Sequence, residues 1–161
     1  MSTAILYAGR YGTTEKCVGL LKSKLNDEVK IFNLQEDGNP DVSGFDNIIV
    51  GGSIHVGAIQ KEVKTYVECH RELLLSKKTG LFICCMEKKE VKQYFYNAFP
   101  NEILDHSEKN SWFGGEVLFS KYNFLVKFMM RIISKSKKDV HNIQEKNISD
   151  FAEYFNNPLD S

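Results

Sequence analysis

"ILYAGRYGTTEK", residues 5–16, runs from an apolar stretch through two glycines to paired threonines and into a pattern with helical spacing. It reads as a strand, a tight corner and the start of a helix. Gly9 and Gly12 let the backbone turn sharply and approach a ligand, and a helix starting near Thr13 or Thr14 presents unpaired N–H groups with partial positive charge. A phosphate fits that environment.

The rest of the chain continues the same alternation. Short apolar runs rich in β-branched and aromatic residues at Thr3–Tyr7, Val29–Leu34, Asn47–Val50, Thr79–Cys85 and Trp112–Phe119 read as five strands. Between them lie helical patterns: Val18, Leu21 and Leu25; Val63, Tyr66, Val67, His70 and Leu74; Val91, Phe95 and Phe99, with Pro100 closing the last. "EDGNPD", Glu36–Asp41, is a turn-rich connection before the third strand. A final helix is expected over Asn142–Phe155, with Ile148, Phe151, Ala152 and Phe155 facing inward. Strands that are apolar throughout, alternating with helices, imply a mainly parallel sheet covered on both faces: the class is α/β, doubly wound. The 161 residues suit one domain spanning 1–161.

Bulk charge excludes some functions. Lys+Arg and Asp+Glu both number 21, so no global field draws the chain to nucleic acid. Cys17, Cys69, Cys84 and Cys85 have neither CxxC nor zinc spacing, so a metal site is not expected and reduced, cytoplasmic thiols are the default. No secretory signal and no run of membrane-spanning length are visible. Cys84 and Cys85, adjacent on a strand, should face opposite ways as buried, inert thiols.

Several phosphate-handling loops are excluded by their required residues. GxGxxG is absent after the first strand, and no Lys-Ser or Lys-Thr completes a GxxxxGK[ST] loop. A phosphatase loop needs a cysteine nucleophile, and none lies between Ile5 and Glu15. A phospho-accepting receiver needs carboxylates at strand ends that here read Tyr7-Ala8-Gly9 and Gly51-Gly52-Ser53. What is left is a loop that holds phosphate without metal or covalent chemistry.

Tyr11-Gly12-Thr13-Thr14, preceded by Gly9 and Arg10, resembles the FMN-phosphate loop of flavodoxins. Within that superfamily "IIVGGSIHVGAIQKEVKTYV" (48–67) and "FGGEVLFSKYNFLVKFMMRIISK" (113–135) are similar to the menaquinone-dependent protoporphyrinogen dehydrogenase group. The resemblance implies a five-stranded parallel sheet of order 2-1-3-4-5 and FMN as cofactor. It further implies that Gly9, Arg10, Tyr11, Gly12, Thr13 and Thr14 hold the phosphate. A second loop, with Gly52, Ser53, Ile54, His55, Val56 and Gly57, would lie along the isoalloxazine ring, and a third, with Cys85, Met86 and Glu87, would close its other face.

His55 could shuttle a proton at the ring edge, and its bland reading is a solvated loop histidine. Glu87 heads "EKKE", which reads as a solvated helix start. The neutral charge favours an enzyme over the acidic electron carriers of the flavodoxin type, with a redox partner protein or a quinone as acceptor. The segment between Cys84 and Gly114 is shorter than its counterpart in the dehydrogenases, which keeps a non-enzymatic carrier open. In "NFLVKFMMRIISKSKK", Asn123–Lys138, cations Lys127, Arg131, Lys135 and Lys138 recur at helical spacing. That pattern suits a helix covering the sheet, and it also suits peripheral contact with a membrane surface.

Overall fold

In β1 (Ser2–Ala8), Ala4, Leu6 and Ala8 enter one apolar cluster while Ile5 and Tyr7 enter another. A strand apolar on both faces must be covered on both. The computed structural model, which describes residues 1–117, 128 and 140–157, supplies that cover. β2 (Glu28–Asn33) and β3 (Asn47–His55) flank β1, β5 (Lys78–Cys84) follows β3, and β6 (Lys109–Trp112) follows β5. All pair in parallel, giving the order β2-β1-β3-β5-β6. The expected five-strand order is therefore present, with the short β4 (Ala58–Ile59) attached to β3 off the main path.

One face carries α2 (Leu34–Asp37), α3 (Lys61–Cys69), α4 (Arg71–Ser76), α5 (Val91–Ala98) and α6 (Asn101–His106), which bring Leu34, Val63, Val67, Leu74, Phe95 and Ile103 against Leu6, Val50 and Leu81. The other carries α1 (Thr13–Lys24) and α7 (Glu145–Asn156), which bring Cys17, Leu21, Phe151 and Phe155 against Ile49 and Phe82. Phe82 stacks on Phe113 at 4.8 Å between ring centroids, and Phe113 meets Phe151 edge-on at 5.5 Å.

Four boundaries differ from the sequence reading. β3 does not stop at Val50 but runs to His55. The expected fifth strand over Trp112–Phe119 is broken: β6 ends at Trp112, and β7 (Gly114–Val117) leaves the sheet to pair antiparallel with β8 (Val140–Ile143). The break is at Gly114, whose φ of 79° an L side chain rarely adopts and whose missing Cβ would overlap the Asn142 carbonyl oxygen. For the same reason the final helix begins at Glu145, since Asn142 and Ile143 are used in β8 opposite Gly115 and Gly114. The stripe from Val63 to Leu74 is two helices, separated at His70, whose ring stacks on Tyr66 at 4.0 Å. The Asn123–Lys138 segment lies outside the described residues apart from Phe128, which is helical and exposed.

Candidate functional site

Strand order reverses between β1 and β3, the place where an open parallel sheet forms a crevice beyond its carboxyl ends. Ala8 lies opposite Gly52 and Ser53 opposite Cys84, so the segments after β1, along the end of β3 and after β5 leave one edge side by side. The first loop has the expected construction. Gly12 caps α1 in the left-handed region (φ 88°, ψ −9°) and no side chain caps the helix, so its first N–H groups face the loop without an intrahelical partner. Gly9 N–H donates to Gln35 Oε1 at 3.3 Å, fixing the start of the turn.

Thr14 is 1% exposed, and its Oγ1 makes no hydrogen bond of regular geometry. Its polar neighbour is the Cys84 thiol, a weak partner. A Cβ on Gly9 would stand 2.8 Å from Thr14 Cβ and 2.9 Å from Oγ1, so the hydroxyl lies directly under the loop and only glycine fits above it. An orphaned buried hydroxyl is costly. Beside a helix N-terminus with free donors, it fits a site completed by a phosphate.

The second segment is not a loop. Gly52, Ser53, Ile54 and His55 belong to β3, and only Val56 and Gly57 turn before β4 pairs back through Ile54↔Ile59 and His55↔Ala58. The cause is packing the sequence does not display: Gly52 is buried, and a Cβ there would stand 2.8 Å from the Ala8 carbonyl oxygen. Gly52 thus serves the sheet, while His55, Val56 and Gly57 form the tip of a hairpin at the edge. His55 is exposed, and its pKa is lowered, by burial first and by the Arg10 charge second. Arg10 Cζ also lies 5.9 Å from the Tyr11 ring centroid.

After β5, residues 85–90 form a loop, so Glu87 does not start a helix; α5 begins at Val91 with Glu90 as its cap. The loop is anchored by Trp112 Nε1–H, which donates to the Cys85 carbonyl at 2.8 Å, and by Gly115, where a Cβ would meet Met86 Sδ at 2.8 Å. Cys84 and Cys85 face opposite cores as expected. A hydrogen bond with Cys17 and burial hold the Cys84 thiol well above its usual range, and burial pushes Cys85 up to about 11, so neither is a nucleophile at neutral pH. Met86 and Glu87 are exposed.

A cluster behind the first loop escaped the sequence reading. Glu116 on β7, with a side chain 3% exposed, accepts from Lys16 Nζ at 3.2 Å and meets His141 Nδ1 at 2.6 Å, while Thr13 Oγ1 donates to its carbonyl at 3.5 Å. It ties α1 and both strands of the small sheet to the phosphate corner. The visible signal was one acid inside the apolar run Phe113–Phe119.

Comparison with known proteins agrees with this geometry. The chain is 21% identical over 168 aligned positions to protoporphyrinogen IX dehydrogenase [quinone] of Escherichia coli (strain K12), covering 94% of this chain and 93% of that protein. Its fold matches a Streptococcus pneumonia TIGR4 flavodoxin with TM-score 0.55 at 16% identity, over 95% of this chain and 96% of that one. It also matches the Fusobacterium nucleatum flavodoxin, crystallised with flavin mononucleotide, with TM-score 0.53 at 15% identity over 96% of each chain. The profile of the Flavodoxin domain family matches residues 4–144, and the chain belongs to that family.

Proposed function

We propose that this protein binds FMN and works as an oxidoreductase that passes electrons to a quinone. The observation that carries the cofactor assignment is the unpartnered Thr14 hydroxyl beneath Gly9, at the uncapped N-terminus of α1. Thr13, Thr14 and the backbone around Gly9–Gly12 would hold the phosphate. The His55-Val56-Gly57 tip and the Cys85–Glu87 loop would hold the two sides of the ring. FMN, when bound, supplies the redox chemistry, and the protein supplies orientation and electrostatics.

His55 is the proton carrier at the reacting edge in this reading. It is exposed, and its lowered pKa leaves it neutral at physiological pH and able to take a proton. The enzyme reading draws on the balanced charge, 21 against 21, which gives no acidic surface for docking on basic carriers. The quinone draws on the likeness to the Escherichia coli protoporphyrinogen IX dehydrogenase [quinone]. A porphyrinogen as electron donor is a finer reading with the same support. Among the described residues no helix is long and apolar enough to cross a membrane, so a lipid-borne quinone would be met at a membrane surface.

The test is direct. Protein loaded with FMN and chemically reduced without oxygen is mixed with menadione, or with a one-electron acceptor of similar potential. Faster flavin reoxidation by menadione supports the enzyme; the reverse order supports a carrier, and no flavin uptake removes both.

A further inference from the structure

We infer that Trp112 and Gly115, which lie outside all three loops, are positioning residues: they clamp one peptide group of the Cys85–Glu87 loop and so set how well that loop holds a flavin ring. The ring role rests on the cofactor reading above; the clamp itself is a set of contacts within the chain.

The loop does little to fix its own shape. Within it the Cys85 thiol, a weak donor, reaches the Glu87 carbonyl at 3.5 Å, and Val91 N–H donates to the Lys88 carbonyl at a long 3.4 Å. Trp112 Nε1–H donates to the Cys85 carbonyl at 2.8 Å, and with Trp112 only 9% exposed, water competes little for that bond. The indole is itself placed by structure remote from the loop. Trp112 stands in register with Ile83, and the next N–H, of Phe113, donates to the Ile83 carbonyl at 2.9 Å. Asn147 of α7 donates Nδ2–H to the Trp112 carbonyl at 2.9 Å.

Gly115 closes on the same peptide from β7. A Cβ there would stand 2.9 Å from the Cys85 carbonyl carbon, 3.0 Å from Met86 N and 2.8 Å from Met86 Sδ. The first two atoms belong to the peptide whose oxygen Trp112 holds, so indole and glycine grip one planar unit. Gly114 brings them together, because its φ of 79° turns the chain out of the sheet between β6 and β7. The peptide can rotate only by giving up the indole bond or by pressing on Gly115. A wall fixed in this way costs a flat ligand little ordering entropy when it binds.

The clamp is read first without flavin. Trp112 is the sole tryptophan, so the isotope-labelled full chain gives one indole N–H resonance, which should exchange slowly with deuterium. Flavin titrations of the folded proteins then test its use. Trp112→Phe keeps an aromatic ring and removes the donor, and riboflavin affinity should fall about fivefold, the scale of one hydrogen bond. Gly115→Ala keeps the donor and presses a methyl on the peptide; it should weaken riboflavin on a similar scale and speed the indole exchange. In both variants FMN affinity should fall by the same factor, leaving the ratio between the two flavins as in the unmodified protein. The losses should not add in the double variant, since both changes act on one peptide, a signature that a general loss of stability does not produce. Unchanged riboflavin affinity in both folded variants, a changed ratio, additive losses or a freely exchanging indole would overturn the inference while the cofactor reading stands. No uptake of either flavin by the unmodified protein would overturn both.

Discussion

His141 Nδ1 lies 2.6 Å from Glu116 Oε1, the same oxygen that takes Lys16 Nζ at 3.2 Å. Burial alone would raise the pKa of this carboxyl, but the hydrogen bonds and charges of His141 and Lys16 outweigh it, and the value falls below the ordinary 4.5. A carboxyl with a lowered folded pKa contributes stability that is complete above its unfolded pKa and is lost as pH falls through the folded one. Both partners are largely in water, their side chains 56% and 63% exposed, so Glu116→Gln strands no buried charge and should cost only about 1–2 kcal/mol at neutral pH. Removing both partners, Lys16→Met with His141→Phe, leaves the carboxylate buried and unpaired and should cost about 3–5 kcal/mol. Urea melts across an acid series check both: the gap between the unmodified protein and Glu116→Gln should close below pH 4.5, where the unfolded carboxyl protonates. A double variant less damaged than Glu116→Gln would show that the acid is not held as an anion.

Thr14→Val separates the cost of the orphaned hydroxyl from its use. Without cofactor, valine removes a buried polar atom that has no good partner, which should stabilise the protein by about 1 kcal/mol and raise Tm by about 2–4 °C. FMN affinity should fall about tenfold, as for the loss of one hydrogen bond to a charged group, while riboflavin affinity is unchanged. The unmodified protein should prefer FMN to riboflavin. Flavin titrations and thermal melts of both proteins decide it, and unaltered FMN binding by folded Thr14→Val would take the hydroxyl out of the phosphate site.

The first loop was legible because its chemistry is local: a strand, two glycines and a helix start within residues 5–16. The second was misread because its determinants are distant. Gly51 and Gly52 look like turn residues in sequence, yet at Gly51 a Cβ would overlap the Phe82 ring and carbonyl of the neighbouring strand. Only the pairing Gly51↔Phe82 shows that β3 continues. Glu116 was missed on the same grounds, its partners lying 100 and 25 residues away. Gly51→Ala should therefore cost about 1–3 kcal/mol by overpacking and leave the preference for FMN over riboflavin intact. Denaturant melts paired with flavin titration test this; lost preference in a protein of full stability would give Gly51 a part in the cofactor site.

Val56 holds φ at 50° and Gly57 at 75° in the two-residue connection between His55 and Ala58. Two successive positive φ values in a hairpin of this length are those of a type I′ turn, where Asn-Gly is favoured and a β-branched residue is not. The left-handed region costs a non-glycine residue about 1–2 kcal/mol. At 93% exposure, Val56 recovers none of this through packing. Asparagine tolerates the conformation and keeps a side chain, so Val56→Asn should stabilise the protein by about 1 kcal/mol. Glycine relieves the same strain but gives back about 0.5–1 kcal/mol in unfolded-chain entropy, so Val56→Gly should gain less. The expected order of denaturation midpoints is Asn above Gly above Val, measured without cofactor so that only the hairpin is compared. If valine proves the most stable of the three, the tip is held by contacts that outweigh its backbone strain.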